Sequence, residues 1–157
     1  MTLQDLIEKL KERPRAVEEQ LDVQRQEWLA ALRHLFAEIE RWLGPATDAG
    51  VLKISRSESE IVEPDLGSYR APILRISDGR LTVHLEPVGR HVVGIVGGGG
   101  TRFTGLQGRV DLICGPMKIP LVRTSPTTWK AVPLRGEPRD LNEESFAEIL
   151  SEVLLDE

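Results

Sequence analysis

Residues 73–85 read Ile-Leu-Arg-Ile-Ser-Asp-Gly-Arg-Leu-Thr-Val-His-Leu. The pair Asp78-Gly79 is the strongest hairpin signal in the chain, because Asp-Gly tolerates the positive φ angles that a tight two-residue turn demands. Beyond it, Leu81, Val83 and Leu85 alternate with Arg80, Thr82, His84 and Glu86. That period of two describes an antiparallel strand with one apolar face and one wet face.

The same pattern extends in both directions. Upstream, residues 51–55 and 60–63 read as two strands, and Pro64-Asp65-Leu66-Gly67 as a turn into a strand over 69–77. Downstream, Pro87-Val88-Gly89 turns the chain into residues 91–96, the most apolar run and an expected central strand. Strands over 107–114, 119–123 and 128–132 follow, separated by Gly115-Pro116 and Ser125-Pro126. Pro72 and Pro120 fall inside strand-like runs. They belong at strand ends, edges or bulges, because proline cannot donate to a ladder. Short strands with turns every 8–12 residues make a meander.

Helical patterns flank this region. Thr2 with Asp5 three residues later is a capping pair, and Leu3, Leu6, Ile7 and Leu10 follow at helical spacing. Pro14 removes a donor and crowds the preceding turn, so this first helix is expected to end or kink near Glu12. From 15 to 43 there is no glycine or proline, and Gly44-Pro45 ends the pattern. Val17, Leu21, Trp28, Leu32, Leu35, Ile39 and Trp42 form an apolar stripe that runs at heptad spacing from Trp28 onward, widened by Leu29, Phe36 and Leu43. Such a helix is ~43 Å long, whereas a compact chain of this size is only ~40 Å across. At the other end Asn142 is a good N-cap, with Glu143 and Glu144 in the first turn. Leu141 and Phe146 are placed for a hydrophobic staple, and Phe146, Ile149, Leu150, Val153 and Leu154 make one stripe.

The expected fold is therefore α+β. An N-terminal helical arm over 1–45, a short helix then a long one, precedes an antiparallel meander of six or seven strands and a C-terminal amphipathic helix packed on the sheet (46–157). Arm and sheet are expected to form one folded unit.

Composition narrows the chemistry. The chain has 157 residues, 40% hydrophobic and 29% charged, which suits a single domain with its own core. The lone cysteine, Cys114, can form no internal disulfide, and no Cys/His cluster has zinc spacing. The start of the chain is amphipathic rather than signal-like, and no apolar run approaches the length of a membrane span, so a cytoplasmic protein is expected. Fifteen arginines against five lysines suggest GC-rich, bacterial coding. Net charge is −5 but unevenly spread: −4 over residues 1–63, +5 over 64–140 and −6 over 141–157. Either the acidic ends neutralise the basic middle, or the middle presents a basic face to nucleic acid or another acidic ligand.

Specific chemistry is sparse. Gly97-Gly98-Gly99-Gly100 lacks the lysine and the following helix of a phosphate loop; it reads as a flexible loop, with Arg102 and Arg109 as possible contacts for an anionic ligand. His84 and His91 flank one turn without an evident third ligand. Cys114 ends an apolar strand, where cysteine is usually a small buried hydrophobe, and nothing brings Asp111 and a histidine to it. No catalytic, cofactor-binding or metal-binding residue is assigned, and a small enzyme with scattered site residues is retained as an alternative.

The sharpest functional signal is the long helix. Trp28, Leu32, Leu35, Ile39 and Trp42 are the expected partner-binding residues, since tryptophan is enriched at binding hot spots; the stripe either packs on the chain's own sheet or in part meets a second copy or a partner. The expected function is non-enzymatic: an adaptor, immunity-type or accessory protein of a bacterial multi-protein system, associating with itself or another protein through this helix.

Overall fold

A computed structural model describes residues 1–91, 95–96, 102–103, 105–133 and 136–155, with the backbone alone described at 12–17, 95–96 and 102–103. The chain is α+β. Helix α1 (Leu3–Trp42) and the short α2 (Gly44–Asp48) precede β1 (Lys53–Glu63), β2 (Gly67–Ser77), β3 (Thr82–Gly89), β4 (Ile95–Val96), β5 (Arg102–Phe103), β6 (Arg109–Cys114), β7 (Met117–Ser125), β8 (Thr128–Ala131) and β9 (Arg139–Asp140); helix α3 (Glu143–Leu155) follows.

Seven strands form one antiparallel sheet in the order β1-β2-β3-β6-β7-β8-β9, while β4 and β5 pair only with each other. The Asp78-Gly79 turn joins β2 to β3. Asp78 Oδ1 accepts from the Arg80 and Leu81 amides at 2.8 and 2.7 Å, and Gly79 takes φ +91°. The apolar partners Ile76↔Val83, Leu74↔Leu85, Leu85↔Leu112, Leu112↔Ile119 and Leu121↔Ala131 carry one face across the sheet. Trp28, Leu32, Leu35, Phe36, Ile39 and Leu43 of α1 and Phe146, Ile149, Leu150, Val153 and Leu154 of α3 join these residues in a single core. Both helices thus cover the same face, giving a two-layer domain. On the opposite face Leu106, Val122 and Val132 form a small separate cluster.

Several elements differ from the sequence-based expectation. The two helices expected on either side of Pro14 are one helix of 40 residues. A single missing donor within about eleven turns of hydrogen bonding did not end it. The strands expected at 51–55 and 60–63 are one strand, because Ser57 and Ser59 continue the alternation as half-buried positions. The expected central strand over 91–96 falls partly outside the described residues; its described part, Ile95–Val96, pairs with β5 outside the main sheet, where β3 pairs directly with β6. Pro72 sits where β2 runs beyond the β3 ladder, and Pro120 where β7 runs beyond its first partner in β8. The two edges are blunted differently: β1 is rich in Ser and Glu, and β9 has two residues.

Candidate functional site

The sheet body grips only the second half of α1. Leu21 is the first described α1 residue packed on the core, and Arg25 Nη1 donates to the Leu66 carbonyl at 2.7 Å. Before that point, none of residues 1–11 and 18–20 is buried. Forty residues at 1.5 Å each make a helix of ~60 Å, so about 30 Å of it runs past the sheet. Thr2 closes its tip with a capping box: its hydroxyl accepts from the Asp5 amide at 3.1 Å, and Asp5 accepts from the Thr2 amide at 2.9 Å. The backbone bond from Thr2 holds the Asp5 carboxyl below its usual range. Leu3, Leu6 and Leu10 stand 73, 41 and 53% exposed along this arm.

Where the arm meets the body, polar groups lock α1 in place. Trp28 Nε1 donates to Tyr69 Oη at 3.1 Å, and Tyr69 in turn donates to the buried carboxylate of Glu63. The other Glu63 oxygen accepts from the Arg90 and His91 amides, both at 3.0 Å. Burial, and then the bond to Glu63, push the Tyr69 phenol well above its ordinary value. Beside this chain, the guanidinium of Arg123 meets Glu27 through two nitrogens, at 2.6 and 3.2 Å. The Arg123 hydrogen bond holds the Glu27 carboxyl below its usual range. Arg123 also donates to the carbonyls of Pro126 and Gln107, while its Nε is buried without a partner. Trp28 stacks on Trp129 with ring centroids 6.0 Å apart. Next to them a cleft of about 450 Å³ opens between α1 and the β7–β8 turn, lined by Glu27, His34, Trp42, Arg123 and Trp129 among others.

The five residues expected to meet a partner are placed against this chain's own body. Trp28, Leu32, Leu35 and Ile39 are buried, and Trp42 is half-buried with its ring 6.0 Å from Phe146. The inner face of the sheet and α3 supply the apolar cover that a partner was expected to provide. Among the described residues, the large apolar side chains of α1 that remain in water are Leu3, Leu6, Leu10 and Val23. Leu3, Leu6 and Leu10 were legible as helical; the mostly polar segment from Glu18 to Glu27, broken by Leu21 and Val23, signalled that this half of the helix is the more exposed.

Of the anion-contact candidates, Arg109 is turned to Asp111, with Nε 2.8 Å from Oδ1; the side chain of Arg102 and residues Gly97–Gly100 lie outside the described residues. His84 stands opposite Ile113 and Arg75, away from His91, whose Nδ1 is 3.3 Å from Asp65. Cys114 is buried. Among the described residues, no group of three His, Cys, Asp or Glu side chains could hold a metal, and no helix is long and apolar enough to cross a membrane.

The basic middle of the chain is extensively ion-paired. Arg123 and Arg90 meet Glu27, Arg70 meets Glu58, Arg109 and Lys118 meet Asp111, Lys130 meets Asp140, and Arg139 meets Glu148 and Glu152. Glu27 of α1 and Glu148 and Glu152 of α3 thus supply part of the counter-charge to the sheet, and Glu58, Asp111 and Asp140 on the strands supply the rest of these pairs. No protein-family model matches the sequence, and no curated protein or solved structure is significantly similar to it.

Proposed function

We propose that this chain is a non-enzymatic association protein, an adaptor or accessory subunit, whose α1 arm docks on another polypeptide. The observation that carries this reading is the exposure of Leu3, Leu6 and Leu10 on a helix that has left its own body. Burial of each leucine would contribute roughly 1.5–3 kcal/mol. The arm has little else to hold it. Most helical stability comes from tertiary packing, and a helix of one to two dozen residues is marginal by itself in water. A proline in its interior costs about 3 kcal/mol more. A surface that covers the leucines would offset that cost. The body, by contrast, buries its own apolar faces and pairs many of its charges internally.

The test is a photo-reactive residue placed at Leu6 or Leu10 of the full chain in its native cell, with the exposed Ser151 on α3 as the control position. Illumination is expected to yield one discrete adduct from positions 6 and 10 and none from 151. Equal background from all three positions would remove the docking role.

A further inference from the structure

We propose that the surface covering the arm is the arm of a second copy of this chain, laid antiparallel to the first. The inference rests on the docking role just described and names its occupant.

The first support is the seam itself. Ile7, Leu10 and Leu21 fall in one heptad register, with steps of three and eleven residues, which is the spacing of a two-helix seam. Antiparallel pairing about a point between residues 15 and 16 sets Leu10 of each copy against Leu21 of the other. Ile7 then faces the half-buried Gln24, where the seam passes into the body.

The second support is charge order. Residues 9–15 hold four basic side chains and one acidic, while residues 18–22 hold three acidic and none basic. The antiparallel arrangement brings the basic block of one arm beside the acidic block of the other, with Lys11 next to Glu18 twice by symmetry. An in-register parallel pair sets basic block beside basic block and acidic beside acidic.

The third support is the position of the body. The stripe that forms the seam continues into Trp28, Leu32 and Leu35, and there it is covered by the chain's own sheet. Two parallel copies would bring both bodies to the same end and the same side. Antiparallel arms carry the bodies to opposite ends, and the tip of each arm finishes where the other copy's α1 enters its sheet.

The full chain is expected to sediment as a dimer at micromolar concentration and to dissociate on dilution. Leu10→Glu should raise the dimer dissociation constant ~10-fold or more. Lys11→Glu and Glu18→Lys should each weaken the dimer, and the double exchange should restore it. Leu10 is exposed and Leu21 only borders the core, so the Leu10 variants are expected to keep the fold, and the thermal transition of every variant would verify it. Oxidation of a mixture of Leu10→Cys and Leu21→Cys chains should give a crossed disulfide dimer, with the buried Cys114 taking no part. A chain that stays monomeric at every concentration overturns the second copy; so does a dimer insensitive to Leu10→Glu, or Leu10→Cys chains that link to themselves. A monomer that still gives a discrete photo-adduct at position 6 defeats only the choice of occupant. A monomer without one defeats the docking role as well.

Discussion

Gly108 lies flat against the six-membered ring of Trp28, and any Cβ at that position would overlap Cζ3 and Cη2 of the indole. The ring cannot withdraw, because it is fully buried, stacked on Trp129 and held by Tyr69. Gly108→Ala is therefore expected to cost about 2–3 kcal/mol by overpacking, seen as a fall in Tm of roughly 4–12 °C. Gly89 bears the same relation to Glu63, whose Oε1 would lie 2.6 Å from an added Cβ. Tyr69 is the chain's only tyrosine, so its ionisation can be followed by ultraviolet absorbance without interference. Its folded pKa is raised above the ordinary tyrosine value of about 10. The folded state thus keeps a proton that the unfolded state releases. Stability from this source is complete below pH ~10 and falls as pH rises further. Tyrosinate absorbance is expected to appear only together with unfolding; ionisation of the native protein at the ordinary value would refute the clasp. At this scale the sequence carried a signal that was not used. The alternation Ile119, Leu121, Arg123 puts Arg123 on the inward face, and Ile61 does the same for Glu63. Strand periodicity alone places both charged groups inside.

Among the elements, the seam between α1 and β7 depends on Glu27 and Arg123. Only 3% of the arginine side chain is exposed, against 41% of the glutamate. Removing the glutamate strands a buried cation, whereas removing the arginine leaves a carboxylate that water can reach. Glu27→Ala is expected to cost about 1–3 kcal/mol, below the range for fully buried pairs because water reaches this end. Arg123→Met should cost less. The Glu27 carboxyl is lowered in the folded state, so its contribution is present above the ordinary glutamate pKa and lost as pH falls through the lowered value. Thermal melts should therefore show the gap between the native chain and Glu27→Gln closing below pH ~4. Element by element, legibility followed the strength of local chemistry. The Asp78-Gly79 hairpin and the Asn142 cap, whose Oδ1 accepts from the Ser145 amide at 2.9 Å, were plain. Pro14 does not end α1, and Ile95–Val96 lies outside the main sheet. Hydrophobicity marks a segment for burial without naming the sheet that takes it.

At the level of the molecule, α1 is two things in one helix. Its second half is core and its first half is arm. Deleting residues 1–20 is expected to leave the cooperative thermal transition of the body in place. Deleting to residue 43 removes Trp28, Leu32, Leu35, Phe36, Ile39 and Leu43 from the core, and no cooperative transition should remain. Calorimetry of the two truncations checks both expectations. The order of layers was legible because helix and strand periodicities differ. What covers the Trp28 stripe was not, since a face of a helix reads the same whether its own sheet or a neighbour lies on it.

The Glu27–Arg123 pair also spans 96 residues of chain, and that separation sets a timetable. The helix leaves the ribosome before the sheet, and its counter-charge is not made until translation has run on for roughly 5–20 s at ~5–20 residues per second. During that interval the indole and leucine side chains of the future core have no sheet to settle on. The nascent polypeptide is therefore most vulnerable to aggregation, and most open to chaperone capture, at intermediate lengths. A ribosome pause placed before codon 123 should deepen that vulnerability, and one placed after it should not.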